Sequence, residues 1–167
     1  MSEQRTPVLT GGCQCGAIRY ALYEQPNRAG VCHCRMCQKA VGGPFMAWAN
    51  VQREAFAWTR GEPGVFHSSS AADRGFCPRC GTPIYFAYAR RPGSISVTLG
   101  SLDTPEAVRP TKVRGTEGEL ANFAAAALAA LPAIRTDEGS PPEDLSRIVK
   151  YQHPDHDTPR DWRLPSA

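Results

Sequence analysis

The chain has 167 residues, 41% of them apolar and 21% charged, with a formal net charge of +3. That length suits one ordinary domain with a modest core, and the balance of charge excludes both a disordered acidic chain and a strongly basic nucleic-acid binder. No apolar run approaches the ~20 residues of a membrane span, and the opening Met-Ser-Glu-Gln-Arg-Thr-Pro-Val has no signal-peptide pattern; a soluble cytoplasmic protein with no membrane partner is the expectation.

Fifteen glycines and fifteen prolines divide the chain into short segments, which favours strands and turns over long helices. The stretch "AIRYAL" (17–22) alternates, with Ile18, Tyr20 and Leu22 on one face. Aromatic-rich strands are predicted over "FMAWANV" (45–51) and "AFAWT" (55–59), and another over "PIYFAYA" (83–89), where Pro83 fits a strand start. In "SISVTL" (94–99), Ile95, Val97 and Leu99 point inward. The expected fold class is therefore mainly β, a core of short antiparallel strands over residues 9–113 in which Trp48, Phe56, Trp58 and Tyr85 are packed.

After Arg114 the pattern changes. "TEGE" (116–119) reads as a capping box, Thr116 at N-cap and Glu119 at N3, opening a helix through "LANFAAAALAAL" that Pro132 ends. "SPPE" (140–143), with Pro141 at the first helical position, opens a shorter helix carrying Leu145, Ile148 and Val149. Residues 114–150 thus form a helical C-terminal extension packed on the core. Residues 151–167 form a polar tail, ordered only where it lies on the domain or on a second subunit. Its "HPDHD" (153–157) has metal-binding residue types but no hydrophobic support.

Seven cysteines carry the strongest signal. They fall as Cys13-x-Cys15, Cys32-x-Cys34-x-x-Cys37 and Cys77-x-x-Cys80. An odd count cannot pair completely, and close spacings of this kind bring two thiolates onto one cation with a single turn of backbone. All seven lie beside Gly and Pro rather than in apolar runs, so metal binding is favoured over buried free thiols. Cys77-Pro-Arg-Cys80-Gly81 is a zinc knuckle that supplies two ligands, and Cys13-Gln-Cys15-Gly16 is the natural donor of two more. Cys32, Cys34 and Cys37 then form a separate group. His33 lies between two of them, and in an extended Cys-x-Cys stretch its side chain points away from the metal. Ionising the seven thiols and binding two Zn²⁺ would bring the net charge to about zero, which removes the basis for nucleic-acid binding.

The segments "GGCQCGAIRY" (11–20), "CHCRMCQKAVGGPF" (32–45) and "RGFCPRCGTPIYF" (74–86) together resemble the glutathione-dependent formaldehyde-activating enzyme family, which includes centromere protein V. The resemblance covers residues 10–100 and implies a β-tent zinc-binding fold with two zinc ions per chain. It further implies that Cys13, Cys15, Cys77 and Cys80 hold a structural zinc. Cys32, Cys34 and Cys37 would hold the second, open and catalytic one. Where family members commonly carry a strand with His and Trp after the last core strand, this chain has "TKVRGTEGEL" (111–120) instead.

A three-thiolate zinc is a weak Lewis acid, better suited to taking a substrate thiol as fourth ligand than to activating water. The activity implied is carbon–sulfur lyase chemistry: addition of a small-molecule thiol, glutathione or similar, to formaldehyde or another small aldehyde, or the reverse. Glutathione's carboxylates call for cations, and Arg35, Lys39, Arg74 and Arg79 lie in or beside the motifs. Gly42-Gly43 would permit close backbone approach to a ligand. The competing readings are a non-catalytic zinc-binding module and a thiol or metal carrier. Oligomeric state is open, a homo-oligomer included.

Overall fold

The structure, a computed structural model, describes residues 5–133, 135 and 148–164. Ten strands in two sheets and two short helices make up the regular elements among these residues, so the chain is mainly β. The smaller sheet has the order β1(Leu9–Gly12)–β2(Arg19–Leu22)–β5(Phe56–Arg60), all antiparallel. The larger one joins β10(Lys112–Arg114), β3(Arg28–Cys32), β4(Met46–Gln52), β9(Ser94–Thr98), β8(Pro83–Tyr88), β7(Ala72–Phe76) and β6(Gly64–Ser69) in that spatial order. Its pairs are antiparallel except β10 with β3, which is parallel.

The predicted strands fall on β2, β4, β5, β8 and β9, and Pro83 does open β8, where its missing N–H costs no ladder bond. Alternation holds in β9, where Ile95 and Val97 are buried. It does not hold in β2, whose four residues Arg19, Tyr20, Ala21 and Leu22 are all buried. The reason is that Arg19 is neutralised inside: its guanidinium meets Asp103 at 2.8 and 2.5 Å. Tyr20, Leu22, Val51, Ile84, Ile95 and Val97 are the largest fully buried side chains and mark where the sheets close on each other. The Tyr20 hydroxyl is satisfied by Ser101 Oγ at 2.8 Å.

The long helix over 120–131 is not observed. Thr116–Gly118 and Ala121–Phe123 are single 3₁₀ turns, and the α-helix α2 is confined to Ala125–Ala129. No side chain caps any of the three, so the Thr116–Glu119 capping box does not form. The physical reason is lack of cover. Leu120, Phe123, Leu128 and Leu131 are between 41% and 62% exposed, and an isolated helix of about 12 residues is marginal without a buried face. The second predicted helix, with Pro141 and Leu145, lies outside the described residues, and Ile148 and Val149 are exposed.

Candidate metal centres

The first sulfur cluster is built at the meeting of two turns. Cys13 and Cys15 lie in the turn between β1 and β2, closed by the Cys13 N–H to Ile18 O (3.0 Å) and the Gly16 N–H to Cys13 O (3.0 Å). Gly16 takes φ +71°, and a Cβ there would collide with the His153 ring. Cys77 and Cys80 flank the turn between β7 and β8, closed by the Gly81 N–H to Cys77 O at 2.8 Å. Thr82 couples the two turns: its hydroxyl accepts from the Gln14 N–H (3.1 Å) and is thereby left to donate to Cys80 Sγ (3.2 Å). The Ile18 N–H also points at Cys13 Sγ, 3.2 Å away. The four sulfurs lie within 4.8 Å of one another, and Cys13, Cys15 and Cys77 are buried. Burial pushes the Cys13 thiol up. Cys80 is raised by burial too, but the Thr82 hydroxyl and N–H outweigh this and bring it down to about 6.

The C-terminal tail lies across this cluster. His153 is only 3% exposed, its N–H bonds to Gln14 O at 2.7 Å, and its ring stands edge-on to Trp162 at 4.5 Å. Both ring nitrogens have partners, Pro154 O at 2.6 Å and Thr158 Oγ1 at 2.8 Å. Asp157 reaches Arg19 at 2.9 Å, and Arg60 meets Thr158 O and Pro159 O at 2.9 and 2.7 Å. "HPDHD" is therefore a fastening on the domain; none of its residues joins a ligand cluster among the described residues.

The second cluster forms where β3 ends and α1(Arg35–Val41) begins. Cys32 is the last residue of β3, Cys34 is the N-cap of α1 in an extended conformation, and Cys37 lies one turn into the helix. Their three sulfurs also lie within 4.8 Å of one another. His33 is turned away: it is 7% exposed, its ring lies 5.5 Å from that of Phe45, and its N–H bonds to Arg114 O at 2.9 Å. The segment after β10 presses on this loop from behind. Gly115 takes φ +63°, and a Cβ on it would stand 2.6 Å from the Cys34 nitrogen. Gln38 Nε2 donates to Gly118 O at 2.7 Å. The segment "TKVRGTEGEL" (111–120) is thus a backbone support for the three-cysteine loop.

Arg74, on β7, brings a cation to this cluster. One nitrogen lies 3.4 Å from Cys37 Sγ, another 3.4 Å from Met46 Sδ, and its guanidinium lies 4.9 Å over the Phe86 ring. Burial takes the Cys32 thiol up to about 12. For Cys34 the burial cost is outweighed by the Cys37 N–H and its neighbouring thiols, with help from the Arg74 charge, and its pKa is lowered.

The three cysteines open onto a cavity of about 640 Å³ whose walls include Trp48, Phe86, Tyr88 and five arginines, Arg28, Arg74, Arg90, Arg91 and Arg114. Phe56, Trp58 and Tyr85 pack in or against the core as expected, but Trp48 faces this cavity, where β4 presents it beside the cluster. Of the cations singled out from the motifs, only Arg74 lines the cavity. Arg35 and Lys39 line a neighbouring groove of about 500 Å³, which Arg74 borders from its other side. Arg79 is exposed on the first cluster's turn. Gly42 and Gly43 line neither space. Arg28, Arg90, Arg91 and Arg114 lay outside the reading of the motifs, because they are far from any cysteine in sequence or, for Arg28, separated from Cys32 by the pitch of a strand.

Sulfur-only donor sets that already converge fit a soft or borderline cation such as zinc, with four ligands in one cluster and three in the other. No helix among the described residues is long and apolar enough to cross a membrane.

Comparison with known proteins agrees with this geometry. The family model for "glutathione-dependent formaldehyde-activating enzyme" matches residues 8–115. An uncharacterized lyase of Schizosaccharomyces pombe is 40% identical over 83 residues, 49% of this chain and 59% of the relative, so the chain spans less than two thirds of that protein. A Halomonas elongata protein named "Putative glutathione-dependent formaldehyde-activating enzyme" is 26% identical over 117 residues, 64% of this chain and 73% of the relative. Among solved structures, a Rhodobacter sphaeroides protein matches in fold with a TM-score of 0.50 at 24% identity, over 63% of this chain and 97% of its own. With both sulfur clusters inside the matched region, the chain belongs to the glutathione-dependent formaldehyde-activating enzyme family.

Proposed function

We propose that this protein is a zinc-dependent enzyme of the carbon–sulfur lyase type, joining a small thiol such as glutathione to formaldehyde or another small aldehyde, or splitting the adduct. The observation that carries the reading is the three-sulfur cluster at the wall of an arginine-lined cavity. In this assignment Cys13, Cys15, Cys77 and Cys80 hold a structural zinc, and Cys32, Cys34 and Cys37 hold the second. Bound there, zinc supplies a free coordination position that favours the thiolate form of a substrate thiol.

The chain's own groups do the rest. Gly115, Gly118 and the His33 N–H fix the loop carrying the three cysteines, so the ligands are positioned before a metal arrives. Arg74, 3.4 Å from Cys37, offsets the negative charge that three thiolates concentrate. Trp48 and Phe86 give the cavity apolar walls, and the arginines are placed for substrate carboxylates. In the synthetic direction the thiol loses its proton, and its sulfur lone pair forms the bond to the carbonyl carbon. The C=O π electrons move to oxygen, which takes up a proton; the reverse reaction breaks the same C–S bond. Seven clustered free thiols suit a reducing, cytoplasmic setting.

The test is exchange NMR on glutathione, formaldehyde and their adduct with the zinc-loaded protein. Faster interconversion than in buffer is expected, lost in Cys34→Ser. Interconversion at the uncatalysed rate with both metals bound would replace this reading by the carrier or binding-module one.

A further inference from the structure

The charges around the cavity are one-sided. Arg28, Arg74, Arg90, Arg91 and Arg114 reach it from β3, β7, the turn after β8, and β10, and among the described residues none that lines it is Asp or Glu. Nor is any of the five held in an ion pair among the described residues. Arg28 bonds the neutral Asn50 at 3.0 Å, Arg74 contacts the sulfurs of Met46 and Cys37, and Arg91 lies 5.7 Å over the Tyr88 ring. A protein surface normally mixes signs, so a cavity with five unneutralised guanidinium groups is tuned for an anionic occupant. Among the described residues lining it, the only groups able to become anionic near neutral pH are the three cysteine thiols, and in the proposed reaction these are committed to the metal.

Glutathione does not match this field fully. Its two carboxylates do, but its α-ammonium would enter among five like charges with no carboxylate among the described residues lining the cavity to receive it; the other uncharged polar side chains there are Asn50, Tyr88, Trp48 and serines. We infer that the thiol this site selects carries at least two anionic groups and no ammonium, and that Arg90 and Arg91 are its specificity-determining residues. Those two are assigned because they are exposed on the turn after β8, Arg91 with only a ring contact to Tyr88, whereas Arg74 is held by two sulfurs as well as a ring. This inference rests on the thiol–aldehyde reading for the word thiol, but the charge preference is measured separately from turnover.

The probes are S-methylglutathione, its N-acetyl derivative and its dimethyl ester, titrated by calorimetry into the full-length zinc-loaded protein; a blocked sulfur keeps the measurement independent of turnover. The N-acetyl compound should bind at least about tenfold more tightly than the free amine, and the dimethyl ester about tenfold more weakly than the free amine, with the preference shrinking as salt rises. Arg90→Gln with Arg91→Gln should abolish the N-acetyl advantage while both metals stay bound. Equal affinity for all three probes, tighter binding of the free amine, or an N-acetyl advantage that survives in the double variant would each overturn the inference. If the preference is found but no thiol accelerates adduct formation, the charge assignment stands and the lyase reading fails. If glutathione and N-acetylglutathione react equally well and bind equally, the lyase reading stands and the charge assignment fails.

Discussion

The N–H of His153 donates to the carbonyl of Gln14 over 2.7 Å, which ties the C-terminal tail to the residue between Cys13 and Cys15. The tail adds a ring against Gly16, the His153–Trp162 contact and the Arg60 bonds to Thr158 and Pro159. All of these lie outside the family-matched region on the tail side, yet they brace one of its sulfur clusters. Truncation after Lys150 is expected to lower stability by roughly 2–4 kcal/mol, the sum of a few lost buried hydrogen bonds and ring contacts. It should also speed chelator stripping of the four-cysteine metal while leaving the other rate unchanged. Thermal unfolding with chelator-competition kinetics checks both, and unchanged stripping rates would show the tail to be passive cover.

The two clusters should respond differently to loss of a ligand. Cys80 lies in a cluster with three buried sulfurs at the junction of both sheets, so Cys80→Ser should unfold or strongly destabilise the protein. Cys34 is half-buried at a helix N-cap beside an open cavity. Cys34→Ser should leave one metal per chain, a near-wild-type circular dichroism spectrum and no activity. Elemental analysis of both variants decides the matter: a folded Cys80→Ser protein with two metals, or an unfolded Cys34→Ser protein, would reverse the assignment of the sites.

Acid stability should depend on Asp103. Burial alone would raise its carboxyl, but hydrogen bonds from the Arg19 guanidinium and the Thr10 hydroxyl outweigh this and hold it below the usual carboxylate value. A depressed folded pKa contributes stability that is fully present above the unfolded value, about 4, and is lost as pH falls through the lower folded one. Asp103→Asn should therefore cost roughly 3 kcal/mol at neutral pH, because Arg19 is left buried without its main partner. Its denaturation midpoint should then change less than the wild type's between pH 5 and pH 3. Urea titrations across that range give both numbers.

The distribution of what the sequence revealed follows from locality. Paired cysteines two or three residues apart are a local signal, and Cys13, Cys15, Cys77 and Cys80 could be joined because each pair needs another. Strand β9 is legible because Ile95 and Val97 are buried on one face, and β8 because an aromatic-rich run follows Pro83. The edge strand β6 is not: Val65 and Phe66 are both exposed, so no alternation marks it. The Ala-rich run misled because its spacing is helical but nothing covers Leu128 or Leu131. Helix α1 is hidden because the Cys34-x-x-Cys37 spacing of metal ligands also suits an N-cap and first turn. The cavity's arginines come from positions 28, 74, 90, 91 and 114, a grouping that only the sheet order produces.

That sheet order also gives the most specific prediction for the open cluster. Because β10 runs parallel to β3, with Arg114 paired to Cys32, the next residue falls against the Cys34 backbone. Gly115 fits there for two reasons: its φ of +63° is unfavourable for any residue with a Cβ, and that Cβ would lie 2.6 Å from Cys34 N and 3.0 Å from Cys34 Cβ. Both neighbours are close to backbone and cannot swing aside, so Gly115→Ala must displace the cysteine loop or β10. The strain is worth about 1–3 kcal/mol. It should appear mainly as weaker metal binding at Cys32, Cys34 and Cys37, about tenfold or more, with the four-cysteine site unaffected. Competition with a chromogenic chelator resolves the two sites by affinity, and an unchanged weaker site in a folded Gly115→Ala protein would show that the loop does not depend on β10 for its geometry.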